Sequence, residues 1–324
     1  MTYPAWIREL PKLGKPLPVL SFPSVSLTGA GVYDLTHDPA VQTAGILRVA
    51  AEVDAAAAVT MMDLSVEAEA FGCPVTTERD QIPTVCGAVI SSPEEGEQLC
   101  PPPVGAGRTG IYLQAAQAAK RGISDRPVLA GIIGPFSLAG RLMDVSEALM
   151  NCIAEPEMVH AVLRVTTDYL AGYAAAYKEA GLDGVIMAEP LAGLLSPALE
   201  REFSAPYVAE IVRRVQDDRF GVVYHNCGPN TVYMAPELAG IGAAAYHFGD
   251  TVSLPEMLEK MPADTVVMGN ISPTREFLSG TPESMRRAVA ELRTACAGHP
   301  NFVLSSGCDV PPGTPWENIR AFFE

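Results

Sequence analysis

The sequence predicts a (β/α)8 TIM barrel with a small β-hairpin insertion. Three observations predict it. Eight short apolar runs recur along the chain, as expected of strands buried on both faces. Stretches of helical composition separate most of them, and such alternation implies a parallel sheet. Most of the runs end in Asp, Glu, His, Asn or Cys, which fits a barrel whose catalytic groups collect at the C-terminal rim.

The elements follow in order. Residues 1–16 read as an irregular lead-in. Residues 17–22 form the first candidate strand, weakened by Pro18, and 28–33 a Gly-rich loop. Asp38 reads as the cap of a helix reaching Val53, with Pro39 in its first turn. Residues 55–62 form the second strand, ending at Asp63. Segments 73–77 and 84–91 read as a hairpin outside the barrel, 93–103 as a loop, and 106–121 as a helix. The remaining strands are 127–133, 184–188, 221–227, 242–247, 265–268 and 302–308. Between them lie helices at 137–153, 156–180, 197–217, 230–239, 253–261 and 282–298, and 316–323 closes the chain. No low-complexity segment divides it, so residues 1–324 are expected to form a single domain. An open doubly wound sheet would need a glycine-rich phosphate fingerprint after an early strand, and residues 28–31 lack that spacing.

The totals narrow the function. A formal charge of −16 disfavours nucleic acid as a partner. No apolar run approaches a membrane span, and the first residues lack a secretory pattern, so a cytoplasmic protein without a membrane partner is expected. Seven cysteines at irregular spacing argue against a disulfide framework.

Residues 222–228 read Val-Val-Tyr-His-Asn-Cys-Gly. Side chains at i and i+2 of a strand share a face, so His225 and Cys227 converge on one point. Cys308 ends another apolar strand. If both strands end on one rim, the three residues form a zinc site with a position open for chemistry. A lone cysteine in a strand is usually a small core residue. Three such groups at two strand ends are hard to explain by packing alone. Cys73, Cys86, Cys100, Cys152 and Cys296 have no such setting and read as packing residues, and His37, His160 and His299 as surface groups. Glu189 is the catalytic candidate, as a further ligand, a proton relay or a partner for a cationic group. Asp63, Asn226 and Asn270 are the substrate-binding candidates, with loop capping as the alternative for Asp63 and Asn270. His247 is the one residue of this rim placed to close a four-ligand shell.

Several stretches carry a resemblance to a known family. They are residues 67–73, 134–139, 180–184 with Glu189-Pro190, 269–273, and above all 225–228 and 306–315. Through them the chain resembles the uroporphyrinogen decarboxylase superfamily, and within it the cobamide-dependent methyltransferases of the methylcobamide:coenzyme M type. The resemblance implies a TIM barrel and one Zn2+ on His225, Cys227 and Cys308. It also implies methyl transfer from a methylated corrinoid on a partner protein to a small-molecule acceptor, a thiol such as coenzyme M or tetrahydrofolate. Decarboxylases of this fold carry an arginine-rich stretch after the first strand, whereas residues 24–31 contain no arginine. A decarboxylase, an enzyme demethylating a methoxy or methylamine donor, and a zinc-stabilised corrinoid-protein docking module are the alternatives. The chemistry favours transfer: zinc favours deprotonation of a thiol, and a protonated thiol is a poor nucleophile.

Overall fold

The computed structural model describes residues 2–324. Seven strands form one curled, all-parallel sheet. They are β1 (Ala58–Val59), β4 (Val128–Ile133), β5 (Gly184–Ala188), β6 (Gly221–Asn226), β7 (Ala245–Phe248), β8 (Val266–Ile271) and β9 (Phe302–Ser306), adjacent in that order. Two further strands, β2 (Val75–Thr76) and β3 (Thr84–Val85), pair antiparallel apart from the sheet. Apolar residues line both faces. Leu129, Ile186, Val223, Ala245, Met268 and Val303 pack inside the curl. A larger layer, including Ile132, Val185, Val222 and Tyr246, packs outward against the helices.

The sequence leads one to expect eight strands, and the first of them is not in the ladder. Segment 16–20 runs between β9 and the approach to β1, but its prolines have no N–H to donate. What remains is sparse. Leu17 N donates to Leu304 O at 2.9 Å, Val19 N to Ser306 Oγ at 3.0 Å, and Ala56 N to Pro16 O at 2.9 Å. The lead-in also differs from expectation. Residues Ala5–Leu13 form a helix that buries Ile7 and Leu10 against the sheet interior. The predicted 137–153 helix is two, Pro135–Met143 and Val145–Ala154, because Asp144 leaves helical backbone at φ 73°. No described helix is long and apolar enough to cross a membrane.

Glu67 shows how completely the interior is desolvated. It sits on the short helix Val66–Ala70, 1% exposed. One carboxylate oxygen accepts the Ile133 N–H at 3.0 Å, and the other has no partner among the described residues. Burial pushes its pKa up to about 8. The folded chain therefore keeps a proton that the unfolded chain releases near pH 4.5. The stability tied to that proton is complete below this pH and declines as pH rises through about 8. Glu67→Gln is expected to change little at pH 5 and to stabilise by a few kcal/mol at pH 9. Urea unfolding at the two pH values measures the difference, and equal effects at both would contradict the assignment.

Candidate metal centre

His225 lies near the end of β6, beside Ala188 of β5 on one side and His247 of β7 on the other. Cys227 follows β6 directly, and Cys308 follows β9. The curl of the sheet brings these ends together. The ligand atoms of His225, Cys227 and Cys308 all lie within 4.8 Å of one another. Cys308 Sγ is 3.6 Å from His225 Nε2. Donors around one tetrahedral zinc, at about 2.0–2.3 Å from the ion, stand roughly 3.5–3.8 Å apart. The 3.6 Å between Cys308 Sγ and His225 Nε2 and the nitrogen–sulfur donor set both fit zinc. The approach of the β6 and β7 loops needs a glycine, since a Cβ on Gly249 would meet Cys227 Cβ at 2.3 Å.

Hydrogen bonds decide which imidazole nitrogen is free. Ser305 Oγ donates to Leu17 O at 2.6 Å, so it accepts from His247 Nε2 at 2.7 Å. His247 then carries its proton on Nε2 and offers a lone pair at Nδ1. The Nδ1 of His225, 2.6 Å away, donates to it. Nε2 of His225 is left as a lone pair facing the sulfurs. Burial holds His247 neutral by lowering its pKa, and the neighbouring His225 adds to this. Both nitrogens of His247 are committed, so it orients His225 and does not close a four-ligand shell.

The neighbouring Cys308 lowers the pKa of Cys227, while Cys227 and burial together push Cys308 up to about 12. Next to them, both carboxylate oxygens of Asp309 are shielded from solvent with no partner among the described residues. Burial raises its pKa well above the usual carboxylate range.

The other candidates are engaged by hydrogen bonds of their own. Glu189 is wholly buried and turned toward the helix Pro135–Met143. Its oxygens accept Phe136 N–H at 3.0 Å and Ser137 N–H at 2.5 Å, so the carboxylate tethers the N-terminus of that helix. Burial raises its pKa to about 7. It is not among the donors that converge at the cluster.

Asp63 is spent internally. Its oxygens accept Arg108 Nη1 at 2.6 Å, the Tyr112 hydroxyl at 2.8 Å, and both Ser65 N and Ser65 Oγ. Asn226 is likewise committed. Its amide donates to Glu189 O and the Tyr224 hydroxyl, and its carbonyl accepts Gly228 N and the Thr231 hydroxyl. Asn270 Nδ2 donates to Gly249 O at 2.9 Å and Val252 O at 2.7 Å, which fixes the loop after β7. In this structure the three side chains hold backbone or a buried ion pair, which for Asp63 and Asn270 is the loop-capping alternative. Cys86 and Cys100 are exposed rather than packed, while Cys73, Cys152 and Cys296 are buried.

Sequence reasoning missed Arg108 and Ser305. Ser305 stands two residues after Val303, which packs inside the curl, so the i, i+2 rule puts it on that inner face.

The uroporphyrinogen decarboxylase profile matches residues 24–324. The methylcobamide:CoM methyltransferase MtbA of Methanosarcina acetivorans is 28% identical over 267 residues, covering 81% of this chain and 76% of the relative. A uroporphyrinogen decarboxylase of Prochlorococcus marinus is 28% identical over 219 residues, covering 63% of this chain and 59% of the relative. Among solved structures, a methyltransferase from Methanosarcina mazei superposes with a TM-score of 0.85 at 24% identity, over 97% of this chain and 96% of its own. That superposition speaks for a shared fold. With a profile match over all but the first 23 residues, the chain belongs to the uroporphyrinogen decarboxylase family.

Proposed function

We propose that this chain is a zinc- and cobamide-dependent methyltransferase that moves a methyl group from a methylated corrinoid on a partner protein to a small thiol. The observation that carries the reading is the convergence of His225, Cys227 and Cys308 with a histidine lone pair aimed at two sulfurs. Relatives named methylcobamide:CoM methyltransferases support the reaction class. The decarboxylase reading has less behind it, since residues 24–31 supply no arginine for a polycarboxylate.

His225, Cys227 and Cys308 would hold the ion. Zinc, when bound, lets a thiol lose its proton at neutral pH. In the transfer a sulfur–carbon bond forms and the cobalt–carbon bond breaks. The electron pair stays on the corrinoid, so Co(III) leaves as Co(I). The chain's own residues supply position. His247 and Ser305 keep His225 in one tautomer and one orientation. Asn270 holds the loop carrying Gly249 against Cys227. Glu189 acts through the helix it tethers and not on the reacting atoms. We read segment 16–20 as the eighth stave of the barrel and the whole chain as one working unit. Seven cysteines without a disulfide suit a reducing, cytoplasmic compartment.

The test is methyl transfer from free methylcobalamin to 2-mercaptoethanesulfonate by the zinc-loaded protein, followed by cobalamin absorbance and by the methylated thiol. Zinc-loaded protein that transfers no methyl group to any thiol would sink the proposal. The orienting pair gives a graded check. His247→Phe is expected to weaken zinc affinity by about 10–100-fold, the usual effect of losing such a partner. Unchanged affinity in a competition titration with a chelator would show that the His225 tautomer does not depend on His247.

A further inference from the structure

We propose that Leu194, Tyr233 and Leu278 form an apolar seat that the corrin macrocycle rests on, two of them beside the Cys227 loop and one beside the Cys308 loop. The inference rests on the proposed methyl transfer and names the residues that meet the methyl donor.

Each of the three stands on a segment that leaves the rim. Leu194 follows β5, Tyr233 follows β6 and Leu278 follows β8. All three side chains are exposed, and each has a buried apolar neighbour in sequence: Leu195, Met234 and Phe277. The neighbour serves the core, so packing gives no reason for a large apolar side chain at the outward position. One exposed apolar residue needs no explanation, but several around one functional cluster mark an interaction site.

The structure ties the first two to Cys227. A Cβ on Gly193 would meet Gly228 Cα at 2.5 Å, so the segments after β5 and β6 touch one residue beyond Cys227. Asn230 locks that contact. Its backbone N–H donates to Gly193 O at 3.1 Å and its side-chain amide to Leu194 O at 3.2 Å, while its carbonyl accepts Tyr233 N–H at 3.0 Å. Lys260 steadies the aromatic ring. Its ammonium lies 5.7 Å from the Tyr233 ring centroid and donates to Val232 O at 3.3 Å. Leu278 meets the segment of the other sulfur. Its Cδ1 is 3.7 Å from where a Cβ on Gly313 would stand, five residues after Cys308. Cys227 and Cys308 are themselves only partly buried, so the sulfurs can be approached from solvent.

The arrangement selects its ligand by breadth and charge. Three contacts on three separate segments call for a broad surface, which a small thiol lacks. The contacts carry no charge, so the ligand edge they meet is neutral. A corrin ring has such an edge, made of methyl groups and uncharged carboxamides. A tetrapyrrole edged with carboxylates would instead meet a chain of net charge −16. Because Asn230 and Lys260 hold the seat before any ligand arrives, little ordering is left for binding to impose.

The experiment measures binding of cyanocobalamin, which has no methyl group to transfer, to the zinc-loaded full chain by equilibrium dialysis. Tyr233→Ser is expected to weaken binding about tenfold, an ordinary loss for an interfacial tyrosine. Leu194→Ser and Leu278→Ser should each weaken it about three- to tenfold. Tyr233→Phe should keep wild-type affinity, because the ring and not the hydroxyl makes the contact. Ile153→Ser is the control. It removes a side chain that is 74% exposed on the helix Val145–Ala154 and should change nothing. All variants should retain full zinc. In methyl transfer from methylcobalamin, Tyr233→Ser should raise KM for the cobalamin and leave kcat alone. Four results would each overturn the assignment: a wild type that binds no cyanocobalamin, serine variants that bind it as the wild type does, tighter binding of the polycarboxylate uroporphyrin through the same residues, or a wild-type dimer that Tyr233→Ser splits. Cobalamin binding that depends on Tyr233 without methyl transfer to any thiol would uphold the seat and remove the methyltransferase reading. Methyl transfer indifferent to all three serine variants would do the reverse.

Discussion

Cys308→Ser is expected to take the bound zinc from about one ion per chain to near zero and to abolish methyl transfer. A serine hydroxyl stays protonated where a thiol ionises, so the variant loses a charged ligand outright. The loss of affinity should exceed the roughly 10–100-fold expected of His247→Phe, because a ligand is removed rather than re-aimed. Metal analysis of the purified protein and methylcobalamin turnover measure both effects. Cys296→Ser is the control. Its thiol is buried and is not among the donors that converge at the cluster, so this variant should keep full zinc. Retention of a full equivalent of zinc by Cys308→Ser would remove this residue from the site. A related expectation concerns protons. Loading zinc on the wild type near pH 7 should release about one to two protons, because both sulfurs must bind as thiolates.

Asp63→Ala is expected to destabilise the fold by about 3–5 kcal/mol, the usual effect of removing one partner from a buried ion pair. The side chains of Asp63 and Arg108 are 0% and 4% exposed. Their contact is reinforced by Tyr112 and Ser65, and Arg108 Nε also reaches Glu69 at 2.5 Å. Removing the carboxylate leaves the guanidinium with Glu69, whose side chain is 30% exposed, as its charged partner. The double variant Asp63→Leu/Arg108→Met should recover much of the loss, because an apolar pair avoids the buried uncompensated charge. Urea unfolding of the two single variants and the double variant completes the cycle. Kinetics separate this role from substrate binding. An internal Asp63 predicts that Asp63→Asn lowers stability with KM for the thiol unchanged. A large rise in KM at native stability would return Asp63 to the substrate.

Much of the site is readable along the chain wherever the physics is local. The i, i+2 rule alone puts His225 and Cys227 on one side of β6. A parallel strand ending in Cys308 supplies the third donor once the strands share a rim. The apolar runs at 128–133, 184–188 and 221–226 form strands where their composition places them, because β-branched and small apolar residues fit a sheet covered on both faces. Segment 17–22 stays out of the ladder for an equally local reason. Its hydrophobicity is that of a strand, yet Pro16 and Pro18 remove the donors a ladder needs.

What the linear chain could not supply is the destination of each polar side chain. Asp63, Glu189 and Asn226 all stand at strand ends, where a free group would serve chemistry. Arg108 lies 45 residues from Asp63, and Ser137 lies 52 from Glu189, and these distant partners consume them. The sequence determined the strand pattern and the identity of the candidate metal donors, because periodicity and residue chemistry act over a few positions. The tertiary structure decided which groups stay free, because hydrogen bonds and burial are settled between segments that meet only when the sheet curls.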